Sequence, residues 1–223
     1  LTNSGKINAI TQGTLTVDSL TNSGVGAEIY SSADLWINSI INGSTLNNTL
    51  GTIKADTLKL GFDSITNSGT LFGTQSWGLT TGTMTNSGTI SSSDTLTLQQ
   101  KNSTDTLTNT GNIKADNLSA NFNTIANNSG GTLFGNSAQT LTATTLTNRG
   151  DITSAGTAHL TTTTLTNSGT ILSTGAADIT ATTLNNAGKI GSSDTLSLVQ
   201  SGAGTFNNQA GGVVNSKEAL TLT

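Results

Sequence analysis

Glycan cleavage on a β scaffold needs two carboxylates held near a cation or a histidine, so that one group can act as acid and another as base or nucleophile. Asp94 and Asp116 come closest to that arrangement, with Lys101 and Lys114 near them in the chain. The rest of the supply is thin. There is one histidine, His159, and one arginine, Arg149. His159 sits in a polar alternation beside Leu160, which places it on an outer face. Two turn carboxylates without a third element do not make a catalytic constellation, so no catalytic residue is assigned. No Cys is present and no Asp spacing fits a calcium loop, so neither a metal site nor a cofactor site is expected.

A second kind of chemistry is recognition by aromatic rings. The stretch from Gly24 to Gly51 holds Glu28, Tyr30, Asp34 and Trp36, the richest aromatic and charged cluster in the chain. It reads as a lateral loop with Tyr30, Trp36 and Asp34 as candidate partner-binding residues, or as a packed loop covering the rod. Trp77, beside Gly73 and Gly78, is the remaining candidate and equally fits an aromatic capping a corner.

The scaffold that must position these residues is written in the composition. Of 223 residues, 46 are Thr, 26 Gly and 25 Asn, with no Pro and only 9% charged. Thr, Asn and Gly are poor helix formers, which excludes a helix bundle or coiled coil. Eight cations at net charge -4 cannot build a nucleic-acid-binding face. No apolar run is long enough for a membrane-spanning helix.

An internal repeat sets the architecture. Gly recurs at Gly5, Gly24, Gly51, Gly69, Gly88, Gly111, Gly131, Gly150, Gly169, Gly188 and Gly212, with a base period of 19 residues. An apolar residue precedes most of these corners (Leu20, Leu46, Ile65, Met84, Leu107), another follows by two (Ile7, Ile53, Leu71, Ile90), and a third lies five residues upstream of the first (Leu15, Leu60, Leu79). Around them residues alternate apolar and polar, the period of a strand. Each unit therefore holds three short strands, too few to bury an apolar face alone. Stacking the units as a single right-handed parallel β-helix, about eleven coils of roughly 19–20 residues, solves this. The whole chain 1–223 is one all-β solenoid domain, with longer insertions at 25–50, 92–106 and 192–205. The pattern is under way at Leu1 and still running at Thr223, so the chain is expected to be a segment of a longer protein.

Two features follow from the stack. The corner Gly is expected to supply positive φ at a sharp turn. The Asn before it (Asn3, Asn22, Asn67, Asn86, Asn109, Asn148, Asn167, Asn186 and Asn208) is expected to form an amide ladder, each side chain donating to one neighbour and accepting from the other. Thr columns at 142, 161 and 180, at 144, 163 and 182, and at 145, 164 and 183 fit a solvated strand face. Longer echoes also exist. Ile53-Lys54-Ala55-Asp56 with Phe62 and Leu71-Phe72-Gly73 recurs as Ile113-Lys114-Ala115-Asp116 with Phe122 and Leu133-Phe134-Gly135, and Ser92-Ser93-Asp94 recurs as Ser192-Ser193-Asp194, as duplicated blocks of coils would.

The phrases LTNSGTI, GTAHLTTTTLTNSGTI and GAADITATTLNNAGKI resemble the filamentous haemagglutinin repeat. That repeat occurs in large exoproteins of two-partner secretion systems, including contact-dependent growth inhibition proteins. The resemblance covers essentially the whole chain and is specific for fold. It implies a stalk or filament segment on the bacterial surface or secreted from it, presenting a distal adhesive or toxic part. It also implies an outer-membrane transporter as partner for the full-length chain. A receptor- or glycan-binding adhesin module is the alternative, and open coil ends imply end-to-end self-association.

Overall fold

The computed structural model describes residues 1–223, all strand and turn with no helix. Three strands make one coil, and each lies on its own face of the rod. The first face begins with Lys6–Ala9, the second with Gly13–Thr16 and the third with Thr2–Asn3, on which Ser19–Ser23 stacks. The next coil repeats them as Glu28–Ser31, Leu35–Asn38 and Thr45–Thr49. Every strand pairing between coils is parallel, as in Ile7↔Ile29, Leu15↔Ile37 and Leu20↔Leu46, and one isolated antiparallel bridge joins Ser23 to Leu50. In two central coils the three strands run together without a break, over Asn112–Asn127 and Thr132–Asn148.

The alternation read from the sequence sorts side chains inward and outward. Inside, three aliphatic columns fuse into one cluster of 41 buried residues, among them Ile53, Ile65, Leu79, Ile90, Leu141 and Ile179. Burying apolar area in this way is the main favourable term of folding. Outside, Thr dominates: Thr142, Thr161 and Thr180 pair in register, as do Thr145, Thr164 and Thr183. β-branched hydroxyl residues suit such a pleated, half-solvated surface.

The Asn ladder is longer than the sequence spacing indicates. Asn48 and Asn127 complete it, giving eleven rungs from Asn3 to Asn208 with no gap. In each of the ten steps one Nδ2 donates to the next Oδ1 at 2.7–2.9 Å. The same Nδ2 also donates to backbone carbonyls, as Asn109 does to Gly111 at 3.0 Å and to Thr132 at 3.2 Å. From Asn22 to Asn186 the rungs are almost wholly buried, so these bonds satisfy amides that would otherwise be orphaned.

The expectation for the corner glycines is corrected. Gly69, Gly88, Gly111, Gly150, Gly169 and Gly188 do not adopt positive φ. They are glycine because the coils touch there: a Cβ on Gly88 would lie 2.2 Å from the Gly69 carbonyl oxygen, and one on Gly169 2.1 Å from that of Gly150. Positive φ appears instead where the chain carries extra residues, at Gly24, Gly26, Gly43, Leu50, Gly130, Gly202 and Gly211. The two positive-φ glycines Gly24 and Gly26 take up the slack that delays Ile29, which then enters the core column between Ile7 and Ile53.

The three insertions share one corner. The extra residues lie at 39–44, 101–105 and 201–205, each time between the second and third strands of a coil. The segment 25–50 also carries extra residues at the third-to-first corners, around Gly26 and Leu50; the remainder of 25–50, 92–106 and 192–205 is ordinary coil. Apolar residues in the last coil, Val213, Leu220 and Leu222, are exposed.

Candidate functional site

The candidate residues fall into four different settings. Tyr30 and Trp36 do not occupy a lateral loop. Both are strand residues, Tyr30 within Glu28–Ser31 on the first face and Trp36 within Leu35–Asn38 on the second. Period-two alternation turns both outward, but onto different faces. Asp34 is half-buried in the bend between those strands, where its carbonyl accepts the Gly13 N–H at 2.9 Å. Trp77 is not accessible. Its indole is 4% exposed in the core, and Nε1 donates to the Ser91 carbonyl at 2.9 Å. A Cβ on Gly73 would meet the ring at 2.2 Å, so the Gly73 position makes the pocket that the indole fills.

The carboxylates of the first-to-second corner serve turns. Asp94 and Asp116 stack in adjacent coils, the Asp116 N–H donating to the Asp94 carbonyl at 3.0 Å. Asp94 Oδ2 accepts from Ser76 Oγ at 2.6 Å. Asp116 Oδ1 accepts from Asn136 Nδ2 and Ser137 Oγ, both at 2.8 Å, and these bonds hold its pKa below the ordinary carboxylate value. A carboxylate so satisfied is a weak base. Lys101, expected near this pair, is drawn to a different corner. There it forms an ion pair with Asp63, which also accepts from the Gly43 N–H at 2.5 Å and the Ser44 N–H at 3.3 Å. The Lys101 bond, followed by those N–H groups, lowers the Asp63 pKa. Asp63 thus ties two corner insertions to its own coil, 39–44 from the coil before it and 101–105 from two coils after it. His159 is exposed, with Nδ1 3.1 Å from Asp178 Oδ2 one coil on. No group of three or more His, Cys, Asp or Glu gathers anywhere in the rod.

One outward column on the first face departs from the Thr surface. In register it reads Asn8, Tyr30, Lys54, Phe72, Ser91, Lys114, Phe134, Thr153, Leu172, Gly191 and Asn215. The Lys54 ammonium lies 6.0 Å from the Tyr30 ring centroid and 5.6 Å from that of Phe72. On the second face Lys59 lies 5.0 Å over Trp36. Such cation–π contacts are attractive. Two troughs open along the first-face column and share Phe134 as the ridge between them. One, of ≈ 340 Å³, lies between Phe72 and Phe134 and is floored by Ser91, Ser92 and Ser93. The other, of ≈ 370 Å³, runs past Thr153 and Ser154 to Lys189 and Asn215. Period-two outward positions were legible in the sequence at Phe72 and Phe134. Their alignment was not, because it depends on the insertion between them being expelled at a corner.

The fold and its polar ladder define a parallel β-helical solenoid. Compared with protein-family models, with curated proteins and with solved structures, the chain matches none.

Proposed function

We propose that this chain is a rigid stalk segment of a large bacterial exoprotein, secreted or displayed on the cell surface, whose work is to hold a distal adhesive or toxic part away from the cell. The observation that carries the reading is the Asn ladder, which runs through every coil without a gap. A polar spine of this kind holds the coils in register and so serves straightness and length. The repeat phrases LTNSGTI and GTAHLTTTTLTNSGTI, with their resemblance to the filamentous haemagglutinin repeat, support the same reading. So does the state of the acids at the first-to-second corner: Asp94 and Asp116 are committed to Ser76, Asn136 and Ser137, which speaks against an enzyme.

In this proposal the full-length chain leaves the cell unfolded through an outer-membrane transporter of the two-partner type. Coils then add one by one outside, because each coil needs only its predecessor as template. Coils of the same register stack on exposed ends, so end-to-end self-association of the fragment belongs to the proposal.

The test is export of the parent protein carrying Pro at inward-facing strand positions of several coils, for example Ile113→Pro, Ile152→Pro and Ile171→Pro. Proline removes a ladder donor and should stall coil growth. The reading requires reduced export and a shorter displayed rod. Normal export with normal reach would overturn it.

A further inference from the structure

We propose that the first-face column from Tyr30 to Asn215 is a binding groove for a linear acidic glycan lying along the rod axis. The fold itself does not ask for this column. The outward columns of the third face are filled almost wholly with Thr, Ser and Asn, and Thr153 occupies this one without disturbance. Yet Tyr30, Phe72 and Phe134 stand half-exposed in one line, three of the four rings that strand alternation turns outward. Exposed rings aligned on an otherwise hydroxyl-covered rod mark a recognition surface.

The same pair is built twice. The duplicated block places Lys54 beside Phe72 and Lys114 beside Phe134, each pair in adjacent coils of the same column. Lys189 lines the far trough beyond Phe134. Three cations therefore border one groove in a chain that has eight cations in all and a net charge of -4. The one carboxylate lining the nearer trough, Asp116, already accepts two side-chain hydrogen bonds.

The groove chemistry selects the occupant. Ring faces take the C–H faces of a sugar, and the walls offer the exposed Ser93 hydroxyl and the amides of Asn136 and Asn215. The lysines match carboxylate or sulfate groups along the chain. An extended peptide fits poorly, because the backbone groups of this face are consumed by the coils on either side and no strand can be added. The coil spacing of ~4.8 Å is close to the length of one sugar ring, so successive coils present successive subsites. The inference needs only the rod and not the stalk reading, so either stands if the other fails.

The experiment is calorimetric titration of the intact chain with hyaluronan and chondroitin sulfate oligosaccharides long enough to span the groove, and with a neutral cello-oligosaccharide. The expected result is binding of an acidic glycan that weakens as salt rises, with no binding of the neutral one. Phe134→Thr and Lys114→Ala should each weaken binding by about tenfold. Thr147→Ala, on the third face, should leave it unchanged. Phe134→Thr copies the Thr153 already present one coil on, so circular dichroism will show it folded. Failure of both acidic glycans to bind, equal binding of the neutral glycan, or full-strength binding by folded Phe134→Thr and Lys114→Ala would each overturn the inference.

Discussion

Asn86 donates through Nδ2 to Asn109 Oδ1 at 2.8 Å although 23 residues separate them, the same distance that joins Asn67 to Asn86 across 19. The ladder ignores the length of the coil because the extra residues, 101–105, are expelled at a corner on another side of the rod. Register is thus fixed by the buried amides and aliphatic columns, and the loops adapt to it.

Removing one rung should therefore cost far more than a surface change. Asn109→Ala removes the Oδ1 acceptor of Asn86 Nδ2, takes the donor from Asn127 Oδ1 and leaves the Gly111 and Thr132 carbonyls short of a donor. A loss of about 2–5 kcal/mol is expected from chemical denaturation. Asn112→Ala, exposed on the first face, should stay within about 0.5 kcal/mol.

The corner glycines give a steric test. Gly169→Ala puts a methyl 2.1 Å from the Gly150 carbonyl oxygen and must push two coils apart. Thermal unfolding should show a loss of about 2–4 kcal/mol. Gly5→Ala meets nothing within 4 Å and should be close to neutral.

The two tryptophans separate by accessibility. A Trp77→Phe protein, which keeps only Trp36, should show fluorescence readily quenched by iodide. A Trp36→Phe protein, which keeps the buried Trp77, should be protected. Trp77→Phe also removes the donor to the Ser91 carbonyl and should cost about 1–3 kcal/mol.

The Asp63–Lys101 pair predicts a pH effect with a definite sign. The folded pKa of Asp63 is lowered, chiefly by the Lys101 hydrogen bond. Its contribution is present above the unfolded carboxylate pKa of about 4 and is lost as pH falls through the folded value. Asp116 has the same sign through Asn136 and Ser137. In Lys101→Met the acid-side decline of stability should be shallower than in the parent, and at pH 7 the variant should be slightly less stable. A steeper acid decline in Lys101→Met would contradict the pairing.

The core columns, the strand period and most of the ladder were legible because they repeat on a 19-residue ruler. Asn48 and Asn127 escaped because the ladder is registered on the strand, two residues after Leu46 and Ile125, while the corner Gly drifts to Gly51 and Gly131. Ile29 escaped for the same reason. The glycine spacing was read correctly, but the expected positive φ holds only at Gly24; from Gly69 to Gly188 its cause is contact between coils. Trp77 looked like a corner residue because burial depends on Gly73 opposite it, a contact without sequence period. Lys101 meets Asp63 from 38 residues away, past an intervening coil whose Gly82 leaves room. The first-face column was visible only as an echo, Lys54 with Phe72 and Lys114 with Phe134, until the register aligned the two copies.

The most direct test of the account is excision of whole coils. Deleting residues 132–169 removes two 19-residue repeats, lets Thr170 pair where Thr132 did and joins Asn127 to Asn186. Small-angle scattering and chemical denaturation of the intact and shortened chains make the measurement. The account predicts a folded, cooperatively unfolding rod about 10 Å shorter than the parent. A shortened chain that collapses or unfolds, while a deletion of half a coil is tolerated, would contradict it.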